Sequence, residues 1–172
     1  MANTLVSPAD LADFPGAPFA QSVVDAAVAA VRLAAGWHIA PVVTETVVLD
    51  AEGGPVLHLP TLKLVSVTEV RDLTGDTPVA LADWRKSRAG MLSRSWWPCG
   101  FESVEVVGMQ HGHTETPPEL LQVVAEWCQM SGVNSAVRSE AAGGESIAYT
   151  AAGAITPESR AILARYTVPT RF

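Results

Sequence analysis

Three times in this chain a hydroxyl residue stands directly before a proline: Ser7-Pro8, Thr116-Pro117 and Thr156-Pro157. Such a hydroxyl can accept an orphan backbone N–H at a helix start, and proline is tolerated in the first turn because its missing donor has no partner there. The three pairs therefore predict three helix N-termini. Asp10 and Glu119 follow two of these caps by three residues, the spacing of a capping box. The first helix is predicted to run one or two turns before Phe14-Pro15-Gly16 stops it. The second runs from Pro117 to about Ser131, with Leu120, Val124, Trp127, Cys128 and Ser131 on one face. The third covers Pro157 to Tyr166.

A further helix is predicted from Pro18 to Ala35. Phe19, Val23, Ala27, Ala30, Val31 and Ala34 form an apolar stripe at helical spacing, and Val24 and Val28 widen the apolar surface beyond it. The period then changes. Val42–Leu49 and Val56–Leu59 read as two strands of a hairpin turning at Asp50-Ala51-Glu52-Gly53-Gly54. Leu64–Val70 and Ser103–Met109 read as further strands, and Trp84–Ser87 with Met91–Ser93 as a second short hairpin. Val133–Glu145 is small, polar and Gly-containing and reads as a long connection, followed by an isolated strand at Ser146–Thr150. Helix, then strands, then helix predicts an α+β fold and not alternating βαβ units. The expected division is a core over residues 1–132 and a C-terminal connection and arm over 133–172.

Composition narrows the function. With 48% hydrophobic residues the chain can fill one core, largely from Ala, Val and Leu because aromatics are only 6%. The formal net charge is -7, so tight binding to phosphates, which relies on Lys and Arg, is not expected of the whole surface. Cys99 and Cys128 form no C-x-x-C and no disulfide framework. Met1–Asp10 has neither the basic nor the apolar part of a secretory signal. Val23–Ala35 contains Asp25 and Arg32 and falls short of the roughly 20 apolar residues that span a bilayer. The expectation is a soluble protein made in the cytoplasm, with no membrane partner.

Catalytic signatures are sparse. No G-x-S-x-G elbow, phosphate-binding loop or G-x-G-x-x-G occurs. Neither cysteine has the basic surroundings of a nucleophile, although Arg94 is near Cys99 in sequence. His111-Gly112-His113, with Glu115 close by, is the one pattern that suggests metal ligands, against a plain loop reading. His38 is expected to be packed or hydrogen-bonded, and His58 to lie on the surface. No catalytic, metal-ligating or cofactor-binding residue is therefore expected. Arg85, Lys86, Arg88 and Arg94 place four of eleven basic residues within ten positions, either a contact for DNA or an acidic partner or a solvated hairpin. Trp96 and Trp97 stand side by side, and two adjacent indoles do not easily share one small core, so one of them is expected against another subunit.

Taken in order, Gly36-Trp37-His38-Ile39-Ala40-Pro41, Leu49-Asp50, Leu57-His58-Leu59-Pro60, Leu64–Val70, Trp97-Pro98, Val104-Glu105-Val106, His111-Gly112, Pro117-Pro118-Glu119-Leu120, Gly143–Ser146, Tyr149, Thr156-Pro157-Glu158, Leu163 and Tyr166 resemble the head-to-tail connector (adaptor) proteins of long-tailed phages, particularly those infecting actinobacteria. The resemblance spans residues 18–168. It implies a small helical bundle with an inserted antiparallel β region and an extended C-terminal arm. It also implies a non-enzymatic virion protein of the neck, a ring of about twelve copies beneath the portal. Such a ring extends the DNA channel, lets genomic DNA pass without gripping it, and docks the next tail-joining protein. No catalytic residue or cofactor comes with it. Candidate interface residues on this reading are Val24, Val28, Trp96, Trp97, Tyr149 and Tyr166. Alternatives are another neck protein, a stopper or tail terminator, or a small metal-dependent enzyme using His111 and His113.

Overall fold

The structure is a computed structural model that describes residues 4–132, 139–142, 145–148 and 155–169. It is α+β, and it divides into two compact units: a helical one from Met1–Ala35 and Thr116–Tyr166, and a sheet unit from Gly36–Glu115 and Thr167–Phe172.

The sheet unit is organised by one long strand. β1 covers Val43–His58, β2 Leu64–Ser66, β3 Glu69–Asp72, β4 Thr77–Val79, β5 Trp84–Ser87 and β6 Met91–His111. β6 pairs along one edge with β1 and along the other with β5, β3 and β2 in succession, all antiparallel; β4 extends the sheet from β3. Ala51, Leu57, Leu59, Leu64, Val70, Trp84, Leu92, Trp97, Val104, Val106 and Met109 form its core.

The hairpin expected within 42–59 is absent. Asp50–Gly54 does not reverse the chain but continues β1, with Gly53 and Gly54 at φ 79° and 89°. Both halves of that segment pair instead with β6, which likewise runs unbroken through Trp97-Pro98. The glycines therefore bend a strand here; the partner that makes this possible lies some forty residues further on. The short hairpin of Trp84–Ser87 with Met91–Ser93 forms as expected. Leu64–Val70 splits into β2 and β3, because Gly108 interrupts the ladder on β6 opposite the break.

In the helical unit α1 covers Gln21–Ala35, α2 Pro118–Gly132 and α3 Pro157–Ala164, with a single 3-10 turn at Pro8–Leu11. Ser7 and Asp10 close the expected box: the Ser7 N–H and hydroxyl both donate to the Asp10 carboxylate, at 2.8 and 2.7 Å. These bonds hold that carboxyl below its usual range. Thr156 caps α3, its hydroxyl oxygen accepting the Ser159 N–H at 3.1 Å. Thr116 does something else: its hydroxyl donates to the Leu5 carbonyl, and Glu119 accepts from the Tyr166 hydroxyl. α2 buries Leu120, Val123, Val124, Ala125 and Cys128, close to the predicted face. Ser139–Ala142 and Glu145–Ala148 pair as β7 and β8, so the expected connection and isolated strand contain a two-stranded ribbon.

On α1 the buried residues are Val24, Ala27, Val28, Val31 and Ala35, whereas Ala34 of the predicted stripe is exposed. Alanine is too weak an apolar marker to fix the face, and the larger valines decide it. Val24 and Val28, expected as surplus apolar surface, are instead buried within their own chain, and α1 packs against α2.

Candidate interaction surface

β6 has 21 residues and β1 has 16, yet they pair from end to end. The difference is taken up by three bulges, all on β6. In the first, Arg94, Ser95 and Trp96 face the single residue Pro55 between the pairs Gly54–Trp97 and Val56–Ser93. Pro55 has no N–H to contribute to a ladder, so the interruption falls where pairing is weakest. In the second, Phe101, Glu102 and Ser103 face Asp50. There the Asp50 carboxylate accepts the Glu102 N–H at 2.7 Å, replacing the lost backbone bond, and Glu102 takes φ 47°. In the third, Val107 and Gly108 face Thr46, and a Cβ on Gly108 would lie 2.4 Å from the Thr68 hydroxyl oxygen.

The first two bulges each deliver an aromatic ring to the surface. Trp96 is 65% exposed and Phe101 91% exposed. Trp96 lies across Gly53, where a Cβ would be 3.6 Å from its ring. Trp97, one residue on, is back in register and buried. The two indoles part company, one buried and one exposed, and the bulge is the cause. Phe101 was not singled out from the sequence; a lone Phe after Gly100 carries no signal until the bulge is seen. Large apolar side chains presented singly are ordinary, but two presented by paired backbone irregularities on one strand mark a candidate contact surface.

The cationic cluster lies beside the first bulge. Arg85, Lys86 and Arg88 are exposed on and after β5, and Lys86 Nζ donates to the Val65 carbonyl. Arg94 is half-buried, its guanidinium carbon 5.2 Å from the centre of the Trp97 ring.

The histidines build a packed cluster. Trp37 stacks on His111 at 6.4 Å and 23°, meets His38 edge-on at 5.9 Å, and tilts against His113 at 6.1 Å. His38 and His111 are 4.5 Å apart, edge to face. His38 Nε2 bonds the Pro41 carbonyl at 2.6 Å, and His111 Nε2 bonds Glu45 at 2.8 Å. Burial holds His111 below its ordinary pKa against the opposing pull of Glu45. The Gly112 and His113 amides donate to the Lys63 and Ile39 carbonyls, both at 2.8 Å. The Trp37-His38 and His111-Gly112 motifs thus form one structural knot. His58 is half-buried, not a surface residue. Among the described residues no three His, Cys, Asp or Glu side chains are placed to hold a metal ion; His111 and His113 pack on Trp37, and Glu115 is exposed.

Of the other interface candidates, Val24 and Val28 are covered by their own chain and Tyr166 is half-buried against Glu119; Tyr149 lies outside the described residues. Cys99 is exposed and Cys128 buried, and burial raises the Cys128 thiol pKa. Among the described residues no helix is long and apolar enough to cross a membrane.

No protein-family profile matches this chain, and no curated protein matches it. Solved structures do. The chain is similar to one in the neck of a native gene transfer agent (GTA) particle computed with C12 symmetry, with TM-score 0.58 and 20% identity over 88% of this chain and 83% of that one. It is similar to one in the neck of an empty GTA particle computed with C6 symmetry, with TM-score 0.56 and 18% identity over 92% and 85%. A third similarity is to a chain of the virion of the native GTA particle, with TM-score 0.51 and 20% identity over 88% and 78%. The shared property is the fold, over most of each chain.

Proposed function

We propose that this chain is a structural, non-enzymatic subunit of the neck of a phage-like particle, a head-to-tail adaptor that assembles with its own copies into a ring below the portal. The observation that carries this reading is the common fold with chains from neck structures solved under C12 and C6 symmetry. The ordered motifs from Trp37 to Tyr166 support the adaptor position, and the actinobacteriophage type, within that class. Twelve copies fit the C12 neck. A ring needs one face of each copy to meet a different face of the next. Trp96 and Phe101 supply exposed apolar anchors for such a contact, and interface hot spots favour tryptophan. The net charge of -7 suits a channel through which DNA passes without being held. On composition, the 133–156 stretch is proposed to engage a neighbouring copy or the portal.

Cryo-electron microscopy of purified particles tests this directly. A ring of this chain between portal and tail is the expected result. Its absence from the particles would remove the reading, and a position farther from the portal would make it a stopper or terminator.

A further inference from the structure

Residues 53–68 and 84–101 hold five of the chain's eleven basic residues and none of its eighteen acidic ones. The fold lays these two stretches together. Val56–His58 pairs with Met91–Ser93, and the Leu59 and Leu64 amides donate to the Gly90 and Arg88 carbonyls, both at 2.8 Å. Two of the five cations, Arg85 and Arg94, share a wall with Asp83. The other three gather at the tip of the β5–β6 hairpin. Lys86 Nζ donates to the Val65 carbonyl, and the bond from Leu64 sets the Arg88 backbone beside Lys63. Lys63, Lys86 and Arg88 are all exposed, and among the described residues none of them is in an ion pair. Arg71, elsewhere on the sheet, lies against both Glu69 and Glu105. The tip is also pinned, since Gly90 leaves no room for a Cβ against the Thr61 carbonyl.

A solvated hairpin in so acidic a chain would carry carboxylates among its cations; this one has been cleared of them. Three unneutralised charges on a fixed frame suit a polyanion, whose phosphates shed counterions as Lys and Arg replace them. Lysine is depleted at protein–protein interfaces, whereas it is an ordinary phosphate contact. The exposed apolar anchors, Trp96 and Phe101, stand on the bulges and not at this tip. We propose that Lys63, Lys86 and Arg88 touch the phosphate backbone of the DNA that passes through the ring. The contact reads no sequence, because phosphates carry none. It is also light. Outside the two stretches six basic residues stand against eighteen acidic ones, so the remaining surface turns a duplex away while the tip steadies it. The proposal deepens the ring reading and rests on it, since the ring is what brings DNA to the tip.

A map of the DNA-filled neck is the first test. The hairpin tips are expected to face the channel. A ring whose tips point away from it overturns this proposal and leaves the ring reading standing; no ring ends both. The second test titrates the full-length chain with a short DNA duplex at low salt, following fluorescence anisotropy. Three phosphate contacts predict that log K falls with log salt at a slope of about -2.7. Arg88→Gln should flatten that slope by about one, and the triple change Lys63→Gln, Lys86→Gln, Arg88→Gln should weaken binding about tenfold or more. Arg160→Gln removes the same charge from exposed α3 and is expected to leave the slope as it was. All are surface changes, expected to melt close to wild type. Absence of duplex binding by the wild type overturns the proposal, as does a triple variant that binds as tightly. So does an equal effect of Arg88→Gln and Arg160→Gln, which would make the response one of net charge alone. Unchanged duplex binding with lowered neck occupancy of Arg88→Gln also overturns it, and would assign the tip to an acidic protein partner.

Discussion

Gly112 packs so closely on His38 that a Cβ at its position would stand 2.6 Å from the His38 Nε2 and 2.8 Å from the Pro41 carbonyl oxygen. Its φ of 117° is also one that side-chain-bearing residues rarely adopt. Gly112→Ala is therefore expected to cost about 2 kcal/mol or more. Denaturant unfolding should show it as a lower midpoint; an unchanged midpoint would mean that the cluster yields without cost.

His111 gives the sheet unit an acid-sensitive point. Its folded pKa lies below the ordinary value of 6.5, through burial first, with Glu45 pulling the other way. The unfolded chain then binds the proton more readily, so this group's contribution is present above about pH 6.5 and is lost as the pH falls through the folded pKa. Glu45→Gln removes the opposing pull and should make the loss between pH 7 and about 5 steeper. Unfolding curves across that range measure it.

At the alkaline end Tyr166 acts in the helical unit. Burial and then its bond to Glu119 push its pKa up to about 12. The phenol is favoured in the fold, so its contribution is intact below about pH 10 and declines as the pH rises towards the folded value. Tyr166→Phe should cost about 1 kcal/mol at neutral pH and remove that part of the alkaline decline. Ultraviolet titration of tyrosinate in the folded protein gives the second readout: one of its two tyrosines should titrate late.

Thr156 holds the start of α3 twice, accepting from the Ser159 N–H and donating its hydroxyl to Glu126 at about 3.1 Å. Thr156→Ala should cost about 1–2 kcal/mol, the range for losing a cap. Chemical denaturation with the Glu126→Gln background as a double-mutant cycle separates the cap from the tether.

The adjacent tryptophans should behave oppositely. Trp97→Ala removes a buried ring and should cost about 3–5 kcal/mol. Trp96→Ser removes an exposed one and should change stability by no more than about 0.5 kcal/mol, while reducing neck occupancy. Thermal melts beside particle imaging check both, and equal melting losses would tell against the bulge as the device that separates them.

Local chemistry was legible wherever it acted locally. The Ser7–Asp10 box, the Thr156 cap and the Trp84–Ser87 hairpin all depend on residues within a few positions of one another. The misread pieces depend on distant partners. Asp50–Gly54 has turn composition, and only the presence of β6 makes it a bent strand. Thr116 has cap composition, but Leu5 takes its hydroxyl. On α1 the apolar residues cover more than one stripe, so spacing alone does not say that Val24 and Val28 lie within the packed face. For the interaction surface, the cations and the paired tryptophans could be read in advance, whereas the bulges that aim Trp96 and Phe101 could not, because register belongs to two strands at once.

The uneven lengths of β1 and β6 mean that slack is stored in only one of two joined strands. Changes in the slack, such as a residue gained or lost at Ser95 or Glu102, fall on the outer curve while the ladder on either side keeps its partners. The molecule can thereby alter what it shows to a neighbour, in reach or in chemistry, without renegotiating the packing beneath.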